Sequence, residues 1–553
     1  MKRVLFIMVC LWALAGSVAA QGVKNVIFCV PDGTSVSDLA LARWYQSYLY
    51  PGRTRLNVDP LLCGMVKSHS SNAVISDSAP AMSAYMIGYL CQTKFLSMYP
   101  PADAGRDLVA VDSLRAYAPC ITVMEAGRVV RNMATGLVFT CELPHATPAA
   151  THVHWFNRGD YGVIQEQMVH NSIDVVIGGG AGLLTPGQEA FLVQDGHEVL
   201  RNDLQGMRAA KGRKLWALFG ETRFARTSMS NDWDRDTARE PSLAEMTRKA
   251  IELLSKNEQG FFLMVEGSKI DWSSHRNDPV GILSEMLAFD AAMKEVIDFA
   301  RADGETLVVI CPDHGNGGVS IGNSRSDGNY DRLTLEELVA PLAKCTKTSE
   351  FLTEYLSLLP RDSIQPVIQR YWGIADIAPD VIERVNEARE AYQGNIQNPG
   401  KKDAFNDVIA RVLQSRTRIG FTTRGHTGED VFLAIYHPRD ERLTGLVTAP
   451  EVNRYLRDAL GIGSLDELTG EYYCKATDLF ESARFTLDSD GKSLDIRPKN
   501  NKKEVLTLEA NSNLVKWKGK YLPARTKTPA IHVDKTGTWY VSREVLSLIN
   551  HQK

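Results

Sequence analysis

Val23-Lys24-Asn25-Val26-Ile27-Phe28-Cys29-Val30 runs directly into Pro31-Asp32-Gly33. A short, nearly continuous apolar run that stops at a turn is how a strand buried on both faces of a parallel sheet looks. It delivers a carboxylate, Asp32, at its C-terminal tip. The same grammar recurs along the chain: Ser172-Ile173-Asp174-Val175-Val176-Ile177 runs into three glycines, Gly260-Phe261-Phe262-Leu263-Met264-Val265 into Glu266-Gly267, and Thr306-Leu307-Val308-Val309-Ile310-Cys311 into Pro312-Asp313-His314. Apolar residues recur at helical spacing between these runs, as over 243–255 and 281–300. The expected class is α/β, with a mostly parallel central sheet and helices on both faces. Ligands bind outside the carboxyl ends of such strands, and Asp32, Glu266, Asp313 and His314 all emerge there.

Composition fits a large globular chain rather than a disordered one: of 553 residues, 44% are hydrophobic and 23% charged. Lys2 and Arg3, an apolar run over 4–14 and the small residues 15–20 form a secretory leader, cleaved after Ala20. That run is too short to span a bilayer and no other stretch suits one, so the mature protein is expected to be exported, either periplasmic or secreted. Its eight cysteines show no CxxC pair or dense framework, and Cys29 and Cys311 sit in strand-like runs as buried thiols. The net charge of −4 is uneven: residues 499–553 carry eleven Lys or Arg against four Asp or Glu. Such a basic end either steers anions or is a solvated face.

The pattern changes to helices over 321–423, at 334–344, 349–359, 379–392 and 402–415, with Ser349 read as a cap and Gly394 as a stop. This is expected to be a helical insertion on a catalytic domain spanning 21–468. Strand character returns at Val431-Phe432-Leu433-Ala434-Ile435-Tyr436, and residues 469–553 read as a small β-rich module.

Val74-Ile75-Ser76-Asp77-Ser78-Ala79-Pro80-Ala81-Met82-Ser83-Ala84 places Ser78 at the mouth of a helix, where free N–H groups favour negative charge. Taken alone, Ser78 is a helix cap. Elsewhere, Asp271 and His275 stand four apart, so one helical turn aims both at a single cation, a donor pair that suits zinc. Asp313-His314 at a strand tip is hard to explain as core. His426 precedes a strand, and His145-Ala-Thr147-Pro is followed by Asn157-Arg158, offering a hydroxyl and a guanidinium.

Together these segments resemble the alkaline phosphatase family over 24–461. The resemblance implies that Ser78 is the nucleophile and that Arg158 binds phosphate. It implies one zinc site at Asp271, His275 and His426, and a second at Asp32, Asp313 and His314, with Ser78 as a further ligand. A magnesium site falls on Asp32, Thr147 and Glu266. The implied activity is hydrolysis of phosphate monoesters through a phosphoserine, favoured at alkaline pH, because two cations can clamp the attacking and leaving oxygens of an in-line displacement. A homodimer acting on small phosphate monoesters, without nucleic acid, is also implied.

Two positions depart from relatives beside the third metal. His145 stands where some members have Asp, and Trp272 follows Asp271 where Lys or His is more usual. Ser78-Ala79-Pro80-Ala81 resembles the start of a sulfatase motif, but Met82 occupies the arginine position, so an unmodified serine is expected. A phosphodiesterase or sulfatase of the same superfamily, or a metal-binding relative without catalysis, are the alternatives.

Overall fold

The computed structural model describes residues 22–220, 227–497, 499 and 504–550. The expected leader, residues 1–20, lies outside them. No helix among the described residues is long and apolar enough to cross a membrane.

Ten strands form the central sheet: β1 (Asn25–Pro31), β2 (Leu62–Lys67), β3 (Ala134–Glu142), β4 (Val175–Gly179), β5 (Glu198–Arg201), β6 (Leu215–Phe219), β7 (Phe261–Gly267), β8 (Thr306–Ile310), β9 (Val431–Tyr436) and β10 (Gly445–Thr448). Their order is β10-β2-β9-β8-β1-β7-β3-β4-β6-β5, and β9 runs antiparallel to both of its neighbours while every other pair is parallel. The apolar runs are continuous because both faces are buried. Ile27 and Cys29 of β1 join one core cluster with Leu263, Val265, Val308 and Ile310, whereas Val26, Phe28 and Val30 join the other with Phe262, Met264, Leu307 and Val309. Alternation along a strand thus feeds two helix layers. All eight described cysteines are free, and Cys29 and Cys311 are buried.

Register places the chemistry. Val30 lies opposite Glu266 and Pro31 opposite Gly267, so Asp32 and Glu266 leave the sheet side by side. The strand read at 172–177 begins later, at Val175, because Ser172 has φ 53° and turns the chain before pairing starts.

The segment between Ser320–Ile321 and Ile419–Gly420 is pinched at its base, where these two short strands pair antiparallel. It holds helices at Leu335–Ala343, Ser349–Leu356, Ile364–Trp372, Pro379–Gln393 and Pro399–Gln414. The third of these was not expected from the sequence. Thr348, not Ser349, is the N-cap of the second, its hydroxyl accepting the N–H of Phe351. Val339, Leu342, Trp372, Phe405 and Ile409 pack in the same core cluster as Leu41 and Ile282, so these helices extend the main core.

Past Leu465–Tyr472, a five-stranded antiparallel sheet and a three-stranded one enclose their own apolar cluster, including Leu494, Leu508, Trp517 and Val541. A buried carboxylate ties this end to the core. Glu125 accepts from the Thr122 N–H at 2.9 Å, Asn171 Nδ2 at 2.9 Å and Tyr473 Oη at 2.8 Å, and lies 3.1 Å from His154 Nε2. Burial opposes the charged form, but His154 and its other partners outweigh burial and hold the Glu125 carboxyl well below the usual range. Its folded pKa is therefore below the unfolded value of about 4.3; the stabilisation is complete above that pH and is lost as pH falls through the lower range. Glu125→Gln should cost about 3 kcal/mol near neutral pH. Denaturant titrations of both proteins should show the gap narrowing as pH drops below about 4.

Candidate active site

Helix α1 (Ser78–Ile87) begins with Ser78 itself. The cap is Asp77, whose Oδ1 accepts the Ala79 N–H at 3.2 Å, so the capping role considered for Ser78 belongs to its neighbour. The Ser78 hydroxyl, 1% exposed, lies instead 3.2 Å from His314 Nε2. Arg158 forms an ion pair with Asp77 and places Nη2 3.2 Å from His145 Nε2. Burial opposes the Asp77 charge, but Arg158 and the Ala79 N–H hold its carboxyl below the usual range.

The loop after β8 carries Asp313 and His314 under β1. Asp313 Oδ1 accepts the N–H groups of Gly33 at 3.1 Å and His314 at 3.0 Å, which leaves Oδ2 with no hydrogen-bond partner. Gly33 has φ 61° and a Cβ there would run into Asp271, so the tight turn after Asp32 requires glycine. His314 Nε2 is 3.5 Å from both Asp32 Oδ1 and Asp313 Oδ2. These three residues offer converging ligand atoms, all buried.

Helix α2 (Lys269–His275) follows β7 and supplies Asp271 and His275. Asp271 Oδ2 and His275 Nε2 are 3.4 Å apart, His426 Nε2 lies 3.6 Å from Asp271 Oδ1, and the two imidazole Nε2 atoms are 3.2 Å apart. Backbone carbonyls fix the tautomers: the Nδ1 of His275 meets Arg424 O at 2.6 Å, that of His426 meets Ser76 O at 2.8 Å, and that of His314 meets Gly315 O at 3.2 Å. Each Nε2 is thereby left as a lone-pair donor. Asn316 Nδ2 donates to Asp271 Oδ1 at 2.7 Å and orients that carboxylate.

The donor set fits cations. Two imidazole lone pairs face each other beside a carboxylate, and Asp32 Oδ1, Asp313 Oδ2 and Glu266 Oε1 are buried with no hydrogen-bond partner. Burial, then the charges of Asp313, Asp271 and Glu266, push the Asp32 carboxyl well up; burial and Asp313 push Glu266 to about 8. Carboxylates so crowded need positive charge among them. Thr147, on the short helix Ala146–Ala149, donates to Asp32 Oδ2 at 3.4 Å.

Every candidate residue from the sequence thus falls at one carboxyl edge, including His145, whose ring stands edge-on to Trp272 with centroids 5.9 Å apart. Cys141 and Asn316 were missed. Asn316 sits two residues after His314, which was its one available signal. Cys141 is the penultimate residue of β3, a strand whose apolar run is interrupted by threonines and a glycine, and it lies with His145 and Glu266 in a third convergence of ligand atoms.

The alkaline phosphatase family model matches residues 23–462. Alkaline phosphatase 3 of Bacillus subtilis is 32% identical over 458 residues, covering 79% of this chain and 89% of its own length. The repressible alkaline phosphatase of Saccharomyces cerevisiae is 27% identical over 529 residues, covering 86% of each. The crystal structure of a cold-active alkaline phosphatase from Shewanella sp. superposes with a TM-score of 0.67 at 25% identity, over 79% of this chain and 99% of that one. With the family pattern running through nearly the whole sheet and its edge, this chain belongs to the alkaline phosphatases, a family of phosphomonoester hydrolases that work with metal ions.

Proposed function

We propose that the chain hydrolyses phosphate monoesters by transferring the phosphoryl group to Ser78 and then to water. The observation that supports this most directly is the position of Ser78 at the first turn of α1, with Oγ 3.2 Å from His314 Nε2 and the Asp77–Arg158 pair alongside. Asp271, His275 and His426 would hold one zinc, and Asp32, Asp313 and His314 a second; Asp32, Thr147 and Glu266 would hold a third cation, magnesium by family pattern. When bound, such cations supply Lewis acidity at the attacking and departing oxygens and offset the like charge of the carboxylates.

The chain's own groups do the rest. Ser78 Oγ gives its proton to solvent and forms a bond to phosphorus as the bond to the ester oxygen breaks, and that oxygen takes up a proton from solvent and departs as the alcohol. In-line geometry puts that alcohol on the side away from Ser78, towards His275, whose side chain is 39% exposed while that of Asp271 is 6% exposed. Water then attacks the phosphoserine from the vacated side, releasing phosphate and restoring the hydroxyl. Arg158 grips two nonbridging oxygens with its planar fork, and Asp77 aims it by accepting from Nη1. The free N–H groups of α1 add a positive field at the same point. A dianionic terminal phosphate suits this arrangement better than a diester or a sulfate. The protein is proposed to act after export and removal of residues 1–20, as a homodimer.

Ser78→Ala should lower turnover of an aryl phosphate by at least about 1,000-fold, and acid-quenched wild type should carry labelled phosphate on Ser78. Turnover by Ser78→Ala close to the wild-type rate would refute the mechanism. Arg158→Ala should lose about 10- to 100-fold in kcat/KM on the monoester, the worth of a charged hydrogen bond, and less on a diester. Chelation should abolish activity and zinc should restore it. In the metal-loaded protein the rate should rise from neutral to alkaline pH, as expected where a hydroxyl must give up its proton; a pH profile with an acid maximum would contradict this.

A further inference from the structure

Cys141 has no part in that reaction, yet its buried thiol donates to Glu266 Oε2 at 3.5 Å. We infer that the third cation position of this chain is a zinc site with Cys141, His145 and Glu266 as ligands, in place of the expected magnesium. The inference rests on the proposed reaction only in taking a third cation to lie beside Asp32.

Three observations carry it. The ligand atoms of Cys141, His145 and Glu266 all lie within 4.8 Å of one another, and all three residues are buried. A tetrahedral zinc holds such donors about 3.3–3.8 Å apart, so they need draw in by only about 1 Å. Glu266 Oε1 and His145 Nδ1, both buried, have no hydrogen-bond partner, so a carboxylate and an imidazole stand unsatisfied beside a thiol. Such groups are costly to bury without a ligand.

The donor types decide which metal. Magnesium takes oxygen donors at near-octahedral geometry and retains several waters. Here sulfur and nitrogen occupy that space, and the Trp272 ring, edge-on to His145, walls one side with carbon. Thiolate, imidazole and carboxylate together are a zinc set. The site is also braced: the N–H groups of Thr140 and Cys141 both donate to Ser268 Oγ at 3.1 Å, so one hydroxyl locks the end of β3 to the segment after Glu266.

Binding displaces the thiol proton to solvent. Ligation through His145 Nδ1 leaves the imidazole proton on Nε2, which can then no longer accept from Arg158 Nη2. Loading the site therefore frees that guanidinium N–H for phosphate.

The test is metal content after equilibration with zinc and magnesium together, read by mass spectrometry. Wild type should hold about three zinc ions per chain, and Cys141→Ser and Cys141→Ala should each lose one, with melting curves confirming that they fold. Cobalt-loaded wild type should show a sulfur-to-cobalt charge-transfer band that both variants lack. Two zinc ions with one magnesium in the wild type, or variants that keep the third zinc, would overturn the inference, as would a cobalt protein without that band. Trapping phosphate on Ser78 in the same samples separates the two proposals. A label on Ser78 in a protein holding magnesium leaves the reaction standing and removes the zinc site; three zinc ions without a label do the reverse.

Discussion

Like charge crowded into one dry place is the constraint on which the rest depends. Asp32, Glu266, Asp271 and Asp313 are all buried and converge at the carboxyl ends of neighbouring strands. Two unit charges 4 Å apart repel by about 4 kcal/mol at the dielectric typical of protein sites. The parallel sheet forces the encounter, because parallel register brings the ends of β1, β7 and β8 out at one level. The same crowding makes the edge a candidate metal centre: cations that relieve the repulsion would bind the folded chain and not the unfolded one, which would couple stability to loading.

Division of labour between neighbouring residues is what turns a helix start into a reactive one. Asp77 takes the cap and the pairing with Arg158, so the Ser78 hydroxyl has no backbone duty and faces His314. Imidazole orientation is assigned in a similar way, by carbonyls of Ser76, Gly315 and Arg424 that come from three distant parts of the chain. The carbonyl of Ser76 therefore ties the segment leading into Ser78 to the His426 imidazole.

Much of this was legible in the sequence because the edge residues follow apolar runs that a buried strand makes unmistakable. Asp32, Glu266, Asp313 and His314 were found by that rule, and Asp271 with His275 by helical spacing. What escaped had no such contrast. The β3 strand, Ala134–Glu142, contains Thr135, Gly136 and Thr140, which interrupt its apolar run; its burial is conferred by β4 and β7 on either side, and no local pattern reports neighbours. Missing the strand hid Cys141, whose thiol donates to Glu266 Oε2 at 3.5 Å. The cap was misplaced by one residue because Asp and Ser both cap well, and only the Ala79 N–H bond discriminates them.

The helical segment between Ile321 and Ile419 bears on the same centre. Glu350, on the helix Ser349–Leu356, pairs with Lys269 Nζ at 3.2 Å and Arg276 Nη2 at 3.4 Å. Lys269 opens α2, the helix that carries Asp271 and His275, and Arg276 caps its other end. Burial opposes the Glu350 charge, but Arg276, Lys269 and Lys402 outweigh it and hold its carboxyl well below the usual range. One buried anion thus clamps both ends of the short helix that carries Asp271 and His275. A helix of seven residues has little stability of its own, so its direction must come from such tertiary contacts. An insertion far from the site in sequence is therefore part of what holds Asp271 and His275 in line.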